Sequence, residues 1–78
     1  MQVTVYSLPQ CPQCVSTKNL LTFSQINFKE VLVERDDDQF NRFVSEGVRT
    51  FPVVEVVKSG VQDRWTGYDV DRIKQLSS

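Results

Sequence analysis

Val3 and Val5, with Ser7 extending the series, alternate with Gln2, Thr4 and Tyr6. That is the period-two pattern of a half-buried strand, and Pro9 ends it. Pro12 stands where a helix can begin, because its missing N–H costs nothing in a first turn. Beyond it Val15, Leu20, Leu21 and Phe23 form a broad apolar face, predicting a helix that stops before Asn27. Residues 28–33 read as a second strand, buried at Val31, Leu32 and Val33. Phe40, Phe43 and Val44 then recur at helical spacing, and Gly47 closes that helix. Pro52 precedes Val53-Val54-Glu55-Val56-Val57, a β-branched strand with one polar residue. Lys58-Ser59-Gly60 turns the chain, and residues 61–65 return as an antiparallel partner. Asp69 is placed to cap a last short helix carrying Val70, Ile73 and Leu76 on one face.

The predicted order is βαβ followed by αββα. The βαβ unit requires a parallel pair with a right-handed crossover, and the late hairpin adds an antiparallel edge. The expectation is an α/β fold with a four-stranded mixed sheet and three helices, the second helix bridging the two halves. No internal repeat, linker or low-complexity segment interrupts it. At 78 residues the chain is expected to form one domain over residues 1–78.

Charge narrows the function classes. Ten acidic residues against nine basic ones leave a formal −1, and the lysines and arginines are scattered. A nucleic-acid footprint needs a basic stripe, which is missing here. The one cluster, Glu34-Arg35-Asp36-Asp37-Asp38, reads as a solvated loop whose aspartates favour the positive end of the following helix. As a calcium loop it has too few oxygen ligands and no glycine for the turn. No apolar run reaches the length that spans a bilayer. MQVTVYSLPQ alternates and carries no basic start, so it reads as a strand and not as a signal peptide. A cytoplasmic location and a monomer are expected, with no membrane or nucleic-acid partner.

The chemistry rests on Cys11 and Cys14, the only cysteines. As a staple they would close too small a loop to restrain the unfolded chain. A tetrahedral zinc site needs four ligands, and this chain has two cysteines and no histidine; a metal site shared between two chains stays open. The third use is disulfide exchange, which needs an exposed, stabilised thiolate and a second thiol within reach. A helix beginning at Pro12 puts Cys11 at its N-cap, where unpaired N–H groups and the helix dipole favour the anion. Cys14 returns to the same helix face, more enclosed and less ionised. That asymmetry makes Cys11 the attacking sulfur and Cys14 the resolving one.

A second stretch, Thr50-Phe51-Pro52-Val53, places a proline directly before a strong strand. A cis bond at Pro52 would bring the Thr50 and Phe51 backbone beside the cysteines. Only about 5–6% of X–Pro bonds are cis, so an ordinary strand-initiating proline stands as the other reading.

Cys11-Pro12-Gln13-Cys14 after the first strand, Thr50-Phe51-Pro52-Val53 before the third and Trp65-Thr66-Gly67-Tyr68 after the fourth together resemble the thioredoxin superfamily on its glutaredoxin side. Within it, Thr17-Lys18 and Gly47-Val48-Arg49 make the chain look most like the small NrdH-type redoxins, hydrogen donors of ribonucleotide reductase. The resemblance implies a thioredoxin fold and a cis Pro52 whose loop pairs with the partner's extended backbone. It also implies a groove lined by Pro12, Gln13, Thr50, Phe51, Thr66, Gly67 and Tyr68. No bound cofactor is implied: electrons come from NADPH through thioredoxin reductase and leave to ribonucleotide reductase or another disulfide-bearing protein. One departure favours glutathione instead. Asp69-Val70 stands where such redoxins carry a basic residue and a proline, and glutaredoxins have an acidic residue there that holds glutathione. Asp69 thus reads either as a helix cap or as a ligand, and Trp65 either as hairpin packing or as part of a docking surface. A redox-sensing binding protein is the reading from a different class.

Overall fold

The computed structural model describes residues 1–77. Among them β1 (Gln2–Ser7), α1 (Pro12–Phe23), β2 (Lys29–Leu32), α2 (Asp38–Ser45), β3 (Val53–Lys58), β4 (Val61–Thr66) and α3 (Val70–Leu76) follow in the expected order. The sheet runs β2-β1-β3-β4. β1 is parallel to β2, with Val5 opposite Glu30, and antiparallel to β3, with Val5 opposite Val54. β4 returns antiparallel to β3, Trp65 facing Val54.

Alternation along the strands divides the core in two. Val3, Val5, Val54 and Val56 pack with Trp65, Leu21 of α1 and Ile73 of α3. The other cluster joins Val53 and the partly buried Tyr6 to Phe43 of α2, Phe51, Leu8, Val33 and Cys14. Each large side chain so buried contributes about 1.5–3 kcal/mol relative to exposure. Phe43 anchors α2, its ring edge-on to Tyr6 and to Phe51 at centroid distances of 5.1 and 5.9 Å.

Both ends of α2 follow from local chemistry. Asp37 is the N-cap, its Oδ1 accepting the Gln39 N–H at 2.7 Å, and Gly47 follows the helix at φ +93°. Arg64 of β4 fastens the far end of α2 to the sheet. It donates to Glu46 at 2.9 Å and to Glu55 at 3.0 and 2.6 Å. Its guanidinium also lies 5.3 Å from the Phe43 ring centroid. Those carboxylates, Glu46 first, raise the Arg64 pKa above its ordinary value.

Two expectations are corrected. Leu32 is 58% exposed although Val33 beside it is buried. β2 is an edge strand, and its outer side lacks the cover that a central strand would have. The inward stripe of α1 is Cys14, Thr17 and Leu21, while Val15 and Phe23 are 50% and 85% exposed. At 100° per residue those two point sideways and away from that stripe. Thr17 hid the pattern: a hydroxyl sits in the core because it donates to the Gln13 carbonyl at 2.8 Å, so its burial leaves no unpaired polar group.

Candidate active site

The β1–α1 junction builds the site. Cys11 is the N-cap of α1 in extended conformation, and Pro12 opens the helix. The Cys14 N–H donates to the Cys11 sulfur at 3.2 Å. No acidic residue stands in the first turn, so the helix end presents only N–H groups and its positive dipole to that sulfur. Cys11 is half-buried and Cys14 is 1% exposed. The two are joined as a disulfide with their Cα atoms 5.2 Å apart.

The Phe51–Pro52 bond is cis. The Phe51 carbonyl oxygen lies 3.8 Å from the Cys11 sulfur, and Thr50 is exposed beside it. The segment after β4 closes the other side. Gly67 donates its N–H to the Pro52 carbonyl at 2.9 Å. The Gln13 side-chain oxygen accepts the Tyr68 N–H at 3.0 Å. Gly67 has φ +82°, and a Cβ there would meet Gln13 Oε1 at 3.2 Å, so conformation and space both call for glycine.

Cys11, Pro12, Gln13, Thr50, Phe51, Pro52, Gly67 and Tyr68 are therefore brought together, with Thr66 exposed at the end of β4. Trp65 is not: it is 7% exposed and packs in the α1–α3 core cluster, with Arg72 over its ring. Asp69 is the N-cap of α3, its carboxylate accepting the Arg72 N–H at 3.1 Å.

A recess of about 350 Å³ opens beside Cys11, between Leu8, Phe40, Phe51 and the loop residues Arg35 and Arg49. Arg35 and Arg49 were not among the sequence-derived site residues. One signal was available: Arg49 directly precedes Thr50-Phe51-Pro52, and Arg35 follows β2 at its carboxyl end, the end of a parallel pair where ligands bind. Among the described residues, no group of three or more His, Cys, Asp or Glu is placed to hold a metal ion. No helix among them is long and apolar enough to cross a membrane.

A half-exposed cysteine capping a helix, bonded to a buried one three residues on and flanked by a cis-proline loop, defines a thiol–disulfide oxidoreductase. The chain belongs to the glutaredoxin family, whose model matches residues 3–61. It is 28% identical to the glutaredoxin-like protein NrdH of Escherichia coli K12 over 76 residues, covering 97% of this chain and 89% of that one. With the Salmonella typhimurium NrdH the identity is 29% over the same length and coverage. The solved NrdH-redoxin of Escherichia coli, a glutaredoxin-like protein with a thioredoxin-like activity profile, superposes with a TM-score of 0.76 at 26% identity, covering 97% of this chain and 95% of that one. A glutaredoxin of Archaeoglobus fulgidus follows at 0.64 and 25%, covering 96% and 84%. The fold is that of thioredoxin, and within the glutaredoxin family the chain is similar to the NrdH-type redoxins.

Proposed function

We propose that this redoxin is a single-domain electron donor to protein disulfides in a reducing cytoplasm, with ribonucleotide reductase as its main target. The reduced form begins with a Cys11 thiolate, stabilised at the N-terminus of α1. It attacks one sulfur of the partner disulfide, and the other partner sulfur leaves and takes a proton. Cys14, deprotonated, then attacks the Cys11 sulfur of the mixed disulfide. The partner departs as a dithiol with two electrons, and the 11–14 disulfide remains. NADPH, through thioredoxin reductase, restores the dithiol. The observation that carries this assignment is the difference in access between Cys11, half-buried at the helix cap, and Cys14, 1% exposed. Similarity to NrdH proteins over nearly the whole chain supports the choice of reductase and target.

Glutathione as donor is the second reading, favoured by the acidic Asp69 at the start of α3 and by Thr50 near Cys11. NADPH consumption with a disulfide substrate separates the two. Turnover with thioredoxin reductase alone is expected. Turnover only with glutathione and glutathione reductase would overturn the choice of donor, and silence with both would overturn the proposed activity.

A further inference from the structure

Two arginines that the sulfur chemistry does not use stand over the same recess as Cys11. Arg35 comes from the loop between β2 and α2, and Arg49 from the segment leading into Pro52. No aspartate or glutamate lines that recess. The ion pairs among the described residues engage Lys18, Arg64 and Arg72, and none uses Arg35 or Arg49. The nearest carboxylates in sequence lie outside the lining, and Asp37 is turned to cap α2.

The opposite wall offers an anion little. The Gly67 N–H goes to the Pro52 carbonyl, the Tyr68 N–H to Gln13 and the Arg72 N–H to Asp69. Among the residues that line the recess, Arg35 and Arg49 are the only charged ones, beside the neutral donors Gln10, Gln13 and Thr50. The recess also has an apolar component, with Leu8, Phe40, Val44, Val48 and Phe51 among its lining residues. Arg35 lies within the acidic stretch 34–38, but of that stretch it alone lines the recess, so the positive charge there is local.

We infer that the recess docks an extended acidic segment of the partner protein, with carboxylates next to the cysteine that Cys11 attacks and an apolar residue against Phe40. The inference rests on the proposed disulfide-reducing activity and adds a sequence preference to it. Guanidinium forks take carboxylates bidentately, and complementary charge across an interface raises association rate and selectivity.

The test is single-turnover oxidation of the pre-reduced protein by two disulfide peptides. They are identical except that glutamates flanking the cysteines of one are glutamines in the other. The acidic peptide is expected to react about tenfold faster in second-order rate constant, the scale set by two exposed charge pairs. That ratio should fall towards one in 1 M salt, where the screening length is about 3 Å, and in the Arg35→Gln/Arg49→Gln variant. Arg35→Glu/Arg49→Glu should reverse it in favour of a lysine-flanked peptide, a result that loss of folding cannot produce. Equal rates for the two peptides with the native protein would overturn the docking inference and leave the oxidoreductase activity standing. No reaction with either would overturn both. Glutathione disulfide reacting as fast as the acidic peptide would assign the arginines to the tripeptide's carboxylates, which also overturns it.

Discussion

The side-chain oxygen of Gln13 accepts the backbone N–H of Tyr68 at 3.0 Å, joining positions 55 residues apart in sequence. This bond ties the interior of the CxxC turn to the segment between β4 and α3. The same oxygen lies 3.2 Å from where a Cβ on Gly67 would stand. Gly67→Ala should therefore destabilise the protein by about 1–3 kcal/mol, from left-handed strain and crowding together. In a Gln13→Ala background the crowding is gone and only the strain remains. Urea denaturation of the four proteins should show the glycine substitution costing less in that background. Simple additivity of the two effects would mean that the oxygen and the glycine are not coupled.

The cysteine roles predict different products from similar substitutions. Cys11→Ser should abolish reduction of a protein disulfide. Cys14→Ser should still attack and then accumulate as a mixed disulfide with its partner, visible by mass spectrometry before and after reductant. Full dithiol turnover by Cys14→Ser would reverse the assignment.

Asp69 is tested by separating its shape from its charge. Asparagine caps a helix about as well as aspartate, whereas alanine costs about 1 kcal/mol. Asp69→Asn should keep both stability and activity with thioredoxin reductase, and Asp69→Ala should lose only stability. A selective loss of glutathione-driven turnover in Asp69→Asn would instead show that the carboxylate charge binds glutathione.

The Glu30 carboxylate accepts from Lys18 at 2.6 Å and from the buried Ser7 hydroxyl at 2.8 Å. The Lys18 bond first, then the Ser7 bond, hold its pKa below the usual carboxylate value. A depressed pKa contributes stability that is present above the unfolded carboxylate pKa and lost as pH falls through the folded one. Glu30→Gln should therefore be less stable than the parent at pH 7, with the gap closing below about pH 4. The glutamate side chain is 39% exposed, so water screens the pair and the gap should stay under about 1 kcal/mol. Denaturant midpoints at the two pH values measure it, and a gap that widened in acid would contradict the assignment.

Phe43 and Phe23 make a direct comparison of burial. Phe43 is 2% exposed and Phe23 is 85% exposed. Phe43→Ala should cost about 3–5 kcal/mol and loosen α2 from the sheet, whereas Phe23→Ala should stay within about 0.5 kcal/mol of the parent. Chemical denaturation followed by circular dichroism distinguishes them.

Most of the fold was legible in the sequence because its punctuation is local. Pro12 starts α1, Asp69 caps α3, and the valine run from Val53 has one polar interruption. Leu32 was misjudged because an apolar triplet cannot say whether its strand lies at the centre of a sheet or at its edge. α1 was misjudged because its buried stripe includes a threonine. At the site, Cys11 and Cys14 were legible from spacing and helix position. Arg35 and Arg49 left only a positional signal, beside the proline loop and at the end of β2, and the grip of Gln13 on Tyr68 left none, since it depends on loops that meet only after the chain has folded.

The near-complete burial of Cys14 also governs how the centre withstands oxidants. In the reduced protein the half-buried Cys11 would meet a peroxide from solvent before Cys14, and a sulfenic acid formed there would lie within reach of the Cys14 thiol three residues on. Their condensation, releasing water, would return the ordinary 11–14 disulfide, which a reductase could reopen. Shielding the inner sulfur would thus turn accidental oxidation into another entry to the proposed cycle.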